Sequence, residues 1–258
     1  MKINDDKFRC EHYHHIFSFL TKNNKKDRTI SSYSNDFNYW LGNYYDEEHY
    51  LHTFCNKGSV ESVERLLKFG LNVNIKNKNG DTPLHVVCNK IIKQKNKKYF
   101  NILNIINILI NKGANINSKD ELGRTPMHLV CITGFLDGAY ALLKNGANMN
   151  IMVKKNLKNS YGDSDYGTPF YYACSKGHSE MVIMLLEKIP TKNLNLEIMI
   201  KYCILSFSNS EKIAIALLDK IEDVNFTDEE NNTTLHWACV SNFKELINIL
   251  LEKKANIN

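Results

Sequence analysis

The chain has 258 residues, of which 43% are hydrophobic and 24% are charged. These fractions are ordinary for globular proteins and exclude a disordered polymer or a fibrous repeat. The formal net charge of +5 is smaller than dedicated nucleic-acid binders usually carry, and no segment approaches the roughly 18 consecutive apolar residues of a membrane span.

Residues 1–44 share no pattern with the rest of the chain and end in an aromatic run around Trp40. We interpret them as an N-terminal segment that caps the apolar side of the neighbouring residues from position 45 onwards, with a separate docking element as the alternative. The metal-ligand residue types in this segment are Cys10, His12, His14 and His15. Because no second cluster lies at zinc-site spacing, we predict no metal site and no cofactor.

A four-residue motif recurs along residues 45–258. Its copies are His49-Tyr50-Leu51-His52, Thr82-Pro83-Leu84-His85, Thr125-Pro126-Met127-His128, Thr168-Pro169-Phe170-Tyr171 and Thr233-Thr234-Leu235-His236. Three residues after each copy stands a cysteine: Cys55, Cys88, Cys131, Cys174 and Cys239. Farther on come an apolar pair, such as Leu66-Leu67, and a hairpin such as Gly113-Ala114-Asn115-Ile116-Asn117.

The spacing of the motif supports a common period. The interval is 33 residues from His52 to His85 and 43 from His85 to His128. The longer interval, which recurs before Tyr171, predicts surface inserts within 89–99 and 151–161. From Tyr171 to His236 the interval is 65, nearly two periods, so a degenerate repeat with Cys203 fits at about 195–226. We therefore predict six repeats. The fifth has lost the motif, and whether it is intact, bent or a point of slippage in the stack is left open.

The local chemistry of each repeat predicts two short helices. Thr82 and Thr125 can cap a helix N-terminus, and the following Pro loses no hydrogen bond at the first helical position. Apolar residues such as Val63, Leu66 and Leu67 then recur at helical spacing. Neither helix can bury its stripe alone, so we expect neighbouring repeats to stack into one continuous core.

A period of 33 residues with a Thr-Pro-Leu-His motif and a Gly-Ala-Asn hairpin resembles the ankyrin repeat. The resemblance covers about four-fifths of the chain and implies an all-α ankyrin-repeat solenoid of helix-turn-helix units with β-hairpin loops. It also implies that the motif histidines are structural, that the chain is not an enzyme, and that its role is to bind another protein. We expect the repeated cysteines to be buried free thiols, because stacked repeats lie about 10 Å apart and disulfides need shorter Cα distances.

The resemblance implies that the partner contacts residues that flank the turn or end the first helix, on the concave side. The matching positions here are Lys76, Lys78, Asn79, Asp81, Asn89, Lys90, Lys119, Glu121, Leu122, Arg124, Ile132, Thr133, Tyr166, Ser175, Lys176, Glu229, Glu230 and Asn232. We predict no catalytic residues, since no nucleotide-binding, nucleophile-elbow or zinc-protease motif occurs.

Two alternative functions remain open. The hairpin residues Asn74, Asn117, Asn150, Asn225 and Asn258 resemble the acceptors of asparagine hydroxylation in ankyrin proteins. The lysine-rich stretches could instead bind nucleic acid, although the low net charge disfavours this. We expect a cytoplasmic monomer, and the lysine- and asparagine-rich composition with eroded repeats is similar to host-directed ankyrin effectors of large viruses, intracellular bacteria and protists.

Overall fold

A computed structural model describes seven segments of the chain: 50–68, 70–90, 97–153, 167–188, 196–205, 210–228 and 230–257. Residues 1–44, and with them the predicted cap, lie outside these segments, as do the central parts of both predicted inserts. No described helix is both long and apolar enough to cross a membrane.

The described residues form twelve helices, two in each predicted repeat. They are α1 (Tyr50–Lys57), α2 (Val60–Lys68), α3 (Pro83–Cys88), α4 (Lys97–Asn111), α5 (Pro126–Thr133), α6 (Leu136–Lys144), α7 (Pro169–Ser175), α8 (Ser179–Lys188), α9 (Leu196–Leu205), α10 (Glu211–Leu218), α11 (Thr234–Val240) and α12 (Lys244–Glu252). The predicted all-α fold is confirmed. An isolated antiparallel bridge joins Thr227 to Thr233 in the turn before α11, and the described segments contain no longer strand.

The chain divides into two compact bodies. The first comprises the described residues within 1–87 and 94–115, and the second comprises those within 88–93 and 116–258. In the first body α1 packs on α2, and α2 packs on α4. In the second body the first helices of successive repeats, α5, α7, α9 and α11, pack on one another in chain order, and the second helices α8, α10 and α12 do the same.

The fifth repeat keeps this packing. Its helix α9 contacts both α7 and α11 although the repeat has lost the four-residue motif. The apolar stripe is intact, since Ile200 and Cys203 of α9 and Ile213 and Leu217 of α10 are fully buried. Full burial of an Ile or Leu side chain stabilises a fold by about 1.5–3 kcal/mol, and this burial continues through the repeat that lacks the motif.

The motif histidines of repeats two, three and six close the turn of their own repeat through Nδ1. The backbone N–H of Thr125 donates to His128 Nδ1 at 3.0 Å, and the Thr125 hydroxyl lies 2.8 Å from the same nitrogen. Thr82 with His85 and Thr233 with His236 repeat this arrangement. A backbone N–H can only donate, so Nδ1 must be an unprotonated acceptor and the neutral ring carries its hydrogen on Nε2.

The second ring nitrogen then reaches the following repeat. His128 Nε2 donates to the carbonyl of Gly167 at 3.3 Å, and His52 Nε2 lies 2.8 Å from the carbonyl of Asp81. In both pairs the acceptor is the residue directly before the turn threonine of the next repeat. Burial lowers the pKa of His128 from the ordinary value of 6.5 to about 4, so the ring is neutral at physiological pH.

A ladder of asparagine side chains joins the hairpins of neighbouring repeats. Asn74 Oδ1 accepts from the backbone N–H of Asn115 at 2.7 Å, and its Nδ2 donates to the Gly113 carbonyl at 3.1 Å. Asn117 makes the same pair of bonds with Asn148 and Gly146. Asn225 Oδ1 accepts from Asn256 N–H at 2.7 Å. Asn74, Asn117 and Asn225, three of the five asparagines that we considered as modification sites, therefore hold neighbouring hairpins in register.

Gly134 ends α5 in a conformation that other residues rarely adopt. Its φ is +72°, and its N–H bonds to the Val130 carbonyl. A Cβ at this position would lie 2.8 Å from the ring of His178, whose Nε2 donates to the Ile132 carbonyl at 3.0 Å. A glycine is required both by the backbone angle and by the close approach of the next repeat.

Replacing Thr234 with Pro should stabilise the protein. Thr234 is the first residue of α11 and is fully buried, and its hydroxyl finds no hydrogen-bond partner among the described residues. Pro occupies this position in repeats two to four. We expect Thr234→Pro to raise the free energy of unfolding by about 1 kcal/mol, measured by urea denaturation. Thr234→Ala, which removes the hydroxyl without fixing φ, is the control, and a less stable Thr234→Pro variant would contradict the account.

The buried histidine should make stability fall in mild acid. The pKa of His128 is about 4 in the folded chain and near 6.5 when unfolded, so between these pH values the unfolded chain alone takes up the proton. We expect His128 to lower the free energy of unfolding by up to about 1.4 kcal/mol per pH unit as the pH falls from 6.5 towards 4. In the His128→Gln variant, the free energy of unfolding, measured by denaturation across this pH range, should depend on pH less steeply by that amount. An unchanged slope would show that His128 is not kept neutral by the fold.

Candidate partner-binding surface

The turn between repeats is built around one Asn or Asp side chain. Asn77 Oδ1 accepts the backbone N–H groups of Asn79 and Asp81 at 3.0 and 2.9 Å. In the turn before α11, Asp228 Oδ1 accepts those of Glu230 and Asn232 at 3.0 and 2.9 Å. We call the segments 76–81, 119–124 and 227–232 the turn tips of repeats two, three and six.

The tip of repeat three adds an ion pair to the same design. Asp120 Oδ1 accepts the backbone N–H of Arg124, and Asp120 Oδ2 bonds to Arg124 Nε, both at 2.7 Å. Asp120 is buried, whereas Arg124 is half-buried. Arg124, which we predicted as a partner contact, thus also holds its own turn together.

Each tip reverses direction through a residue in the left-handed region. These residues are Gly80 (φ +71°), Gly123 (φ +83°) and Asn231 (φ +63°), and their N–H groups bond to the carbonyls of Asn77, Asp120 and Asp228. Only Gly, and to a lesser degree Asn, adopts this conformation readily. The tips are therefore closed turns with defined backbone bonds, and they present their remaining side chains from a fixed frame.

Most of the predicted contact residues reach solvent. Exposed members of the set are Lys76, Lys78, Asn79, Asn89, Lys119, Glu121, Lys176 and Glu230. Half-buried members are Asp81, Lys90, Leu122, Arg124, Ile132, Thr133, Ser175 and Asn232. Tyr166 and Glu229 lie outside the described residues. The structure thus divides the set into side chains that are exposed to solvent and side chains that are half-buried.

Thr133 and Ser175 are examples of the second group. Thr133 Oγ1 donates to the Leu129 carbonyl at 2.9 Å, and Ser175 Oγ donates to the Tyr172 carbonyl at 3.2 Å. Both hydroxyls bond within their own first helix. Backbone atoms of the predicted contact residues also support the packing of the repeats, because the carbonyls of Asp81 and Ile132 accept hydrogen bonds from histidines of neighbouring repeats.

Sequence reasoning missed the side chain that supports the tip of repeat six. Lys201 of α9 pairs with Asp228 Oδ2 at 2.7 Å, and its Nζ lies 5.5 Å from the centre of the Trp237 ring. The hydrogen bond from Lys201 is the main reason that the pKa of Asp228 falls to about 2. Lys201 itself has no such signal, but the tip does: an Asn or Asp stands five residues before the turn threonine, as in Asn77 before Thr82. Sequence analysis could have found this Asn or Asp position.

The repeated cysteines are structural thiols, with one exception. Cys55, Cys131 and Cys174 carry free thiols in the core, where burial raises their pKa. A hydrogen bond with the Cys203 thiol raises the pKa of Cys174 further. Cys239, in the corresponding position of repeat six, is exposed. Among the residues that the structure describes, no group of three His, Cys, Asp or Glu side chains could hold a metal ion.

Two substitutions of Asp120 should separate the two tasks of its side chain. Asp120→Ala leaves the Arg124 N–H without its acceptor, and we expect it to lower the free energy of unfolding by about 1–2 kcal/mol. Asp120→Asn keeps an amide oxygen for the N–H and loses only the ion pair, so a smaller loss is expected. Urea denaturation and hydrogen exchange at the Arg124 amide measure both effects. Equal losses from the two substitutions would contradict this division.

Comparison with known proteins now identifies the repeat. A family model described as ankyrin repeats in three copies matches residues 51–153, 96–198 and 153–258. The chain is also similar, over short segments, to acyl-CoA-binding domain-containing protein 6 of several vertebrates. Identity is 47% over 45 residues for the rat (Rattus norvegicus) protein, 50% over 40 for the mouse (Mus musculus) protein and 39% over 66 for the zebrafish (Danio rerio) protein.

Each matching segment is a small part of this chain and a small part of the relative. They cover 17%, 16% and 26% of this chain and 16%, 14% and 20% of the rat, mouse and zebrafish proteins. The chain therefore spans a fifth or less of the length of these relatives.

Proposed function

The chain belongs to the ankyrin repeat family, whose members are generally protein–protein interaction modules, and we propose that it binds a partner protein through its turn tips and the ends of its first helices. The observation that carries the proposal is the turn tip itself. Backbone bonds to Asn77, Asp120 and Asp228 fix each tip before any partner arrives. A surface that is already ordered loses little conformational entropy on binding, so its contacts contribute more fully to affinity.

The charges of the tips favour partner segments of particular polarity. The tip of repeat two exposes Lys76 and Lys78, and the tip of repeat three exposes Lys119. The tip of repeat six exposes Glu230 beside Asp228. Acidic side chains of a partner would be attracted to the tips of repeats two and three, and basic ones to the tip of repeat six, which would increase the association rate.

The proposal includes the cellular compartment in which the chain binds its partner. Free thiols in the core are typical of a reducing compartment, which supports a cytoplasmic location. The lysine- and asparagine-rich composition and the eroded repeats support a host-directed effector, for which the partner is a host protein. Family members are typically non-enzymatic, and the proposed role contains no catalytic step.

Charge reversal at the tips should weaken partner capture. We expect Lys78→Glu with Lys119→Glu to reduce capture of the partner from host-cell lysate by about tenfold, because both side chains are exposed on fixed turns. The matched control is Lys144→Glu with Lys188→Glu, which makes the same charge change at exposed ends of the second helices α6 and α8. Arg124 is unsuitable for this test because its reversal would break the pair with Asp120.

The outcomes separate the candidate functions. Capture that survives the tip reversals and fails in the control variant would place binding on the second helices and contradict the proposal. Capture that disappears after nuclease treatment and with rising salt would favour the nucleic-acid alternative. Thermal unfolding of all variants checks that they remain folded.

A further inference from the structure

The tripeptide Lys-Asn-Gly occurs twice in the chain, as Lys78-Asn79-Gly80 in the turn tip of repeat two and as Lys144-Asn145-Gly146 at the end of α6. Asparagine is a thermolabile residue. A glycine after it has no Cβ and leaves the backbone nitrogen open to react with the asparagine side chain. Both asparagines are exposed. The two copies are therefore a matched pair, with the same local sequence in two structural settings.

The backbone around the two glycines is similar. Gly80 has a φ of +71°, and its N–H bonds to the Asn77 carbonyl at 2.9 Å. Gly146 has a φ of +88°, and its N–H bonds to the Leu143 carbonyl at 3.1 Å. In each copy this bond must open before the glycine nitrogen can react. The backbone therefore opposes a reaction to a similar degree at both sites.

The side chains of the two asparagines are held differently. Asn145 Nδ2 donates to the Ala141 carbonyl at 2.8 Å, which fixes the amide against the last turn of α6. The Asn79 side-chain amide has no hydrogen-bond partner among the described residues, and only its backbone N–H is bonded, to Asn77 Oδ1 at 3.0 Å. The Asn79 side chain can therefore rotate towards the following nitrogen without breaking a side-chain bond, whereas Asn145 must first release Ala141.

We propose that Asn79 is a site of spontaneous deamidation in the folded protein, and that this modification adds a negative charge to the turn tip of repeat two. The Gly80 nitrogen loses its hydrogen and attacks Asn79 Cγ. The new N–C bond replaces the bond from Cγ to Nδ2, and Nδ2 leaves as ammonia. Water then opens the resulting succinimide ring at either carbonyl and leaves an aspartate or an isoaspartate. The reaction consumes only water and needs no oxidant or reductant.

The new carboxylate changes the charge of the tip. Lys76 and Lys78 are exposed there, and Asp81 is half-buried. One further negative charge therefore cancels the net positive charge of the tip. The modification needs no partner and stands whether or not the tips bind one. Its consequence for binding, which rests on the function proposed above, is a slower association with acidic side chains of a partner.

The tip of repeat six accepts an acidic side chain at the equivalent position. Glu230 stands where repeat two has Asn79, and it is exposed. The backbone N–H groups of the two residues make the same bond at 3.0 Å, to Asp228 Oδ1 and to Asn77 Oδ1. We therefore expect an aspartate at position 79 to leave the turn intact. An isoaspartate, which lengthens the backbone by one carbon, should loosen it.

The experiment measures both asparagines side by side in the full chain. The folded protein is incubated at physiological pH and temperature in heavy-oxygen water and is then digested in ordinary water. Ring opening during the incubation introduces a heavy oxygen, whereas conversion during the digestion does not. Mass spectrometry of the peptides that contain Asn79 and Asn145 gives the two rates, and fragmentation separates aspartate from isoaspartate. The same measurement in guanidinium gives the rate of each site in the unfolded chain.

We expect Asn79 to convert about fivefold faster than Asn145 in the folded chain, relative to their rates in the unfolded chain, because Asn145 alone must release a side-chain hydrogen bond. Equal relative rates, a faster Asn145, or conversion of Asn79 only after unfolding would overturn the proposal. No partner takes part in this measurement, so its failure is distinct from a failure of the proposed partner contact.

Two variants test whether the tip accepts the new charge. Asn79→Asp reproduces the aspartate product. Asn79→Gln keeps a neutral amide that would have to close a larger ring, so it should stay unmodified. We expect equal midpoints of thermal unfolding for the two variants, because Glu230 occupies this position in repeat six. A lower midpoint for Asn79→Asp alone would show that the turn rejects the charge, which also contradicts the proposal.

Discussion

In repeats one and three a buried histidine, His52 or His128, meets the backbone carbonyl just before the turn threonine of the next repeat, and this bond gives the packing of these repeats a direction. In His128 one ring nitrogen accepts from the turn of its own repeat and the other donates to the Gly167 carbonyl of the next. Burial of apolar side chains supplies most of the stabilisation but has no direction. The histidine and the asparagine ladder of Asn74 and Asn117 supply the direction, because their bonds form in only one register.

The same link positions the candidate binding surface. The carbonyl that accepts from His52 belongs to Asp81, which is the last residue of the turn tip of repeat two. The stacking interaction therefore holds one end of the tip, while the Asn77 side chain holds the other. A partner would meet side chains such as Lys78 on a frame that the core has already fixed, and this connects the packing of the repeats to their proposed role.

Much of the fold followed from the sequence because the landmarks recur in register. The capping threonines and the apolar pairs each have a local physical cause, and the structure has them where the period predicted. The missing motif of the fifth repeat did not indicate how the repeat packs, because its packing involves buried residues such as Ile200 and Leu217 that lie outside the motif. Contacts between distant positions, such as Lys201 with Asp228, carry no periodic signal and could not be derived from spacing. The sequence also did not reveal that Arg124, a predicted partner contact, pairs with Asp120. Exposure and pairing depend on side-chain geometry rather than on position in the repeat.

The most direct test of this account is the protonation state of His128, read from the two imidazole nitrogens by NMR at pH 7 with the signals assigned by their absence in His128→Gln. The account predicts a neutral ring whose hydrogen resides on Nε2 and exchanges slowly with water, with Nδ1 as an acceptor. A hydrogen on Nδ1, or a ring that averages rapidly between its forms, would mean that the histidine does not link the repeats.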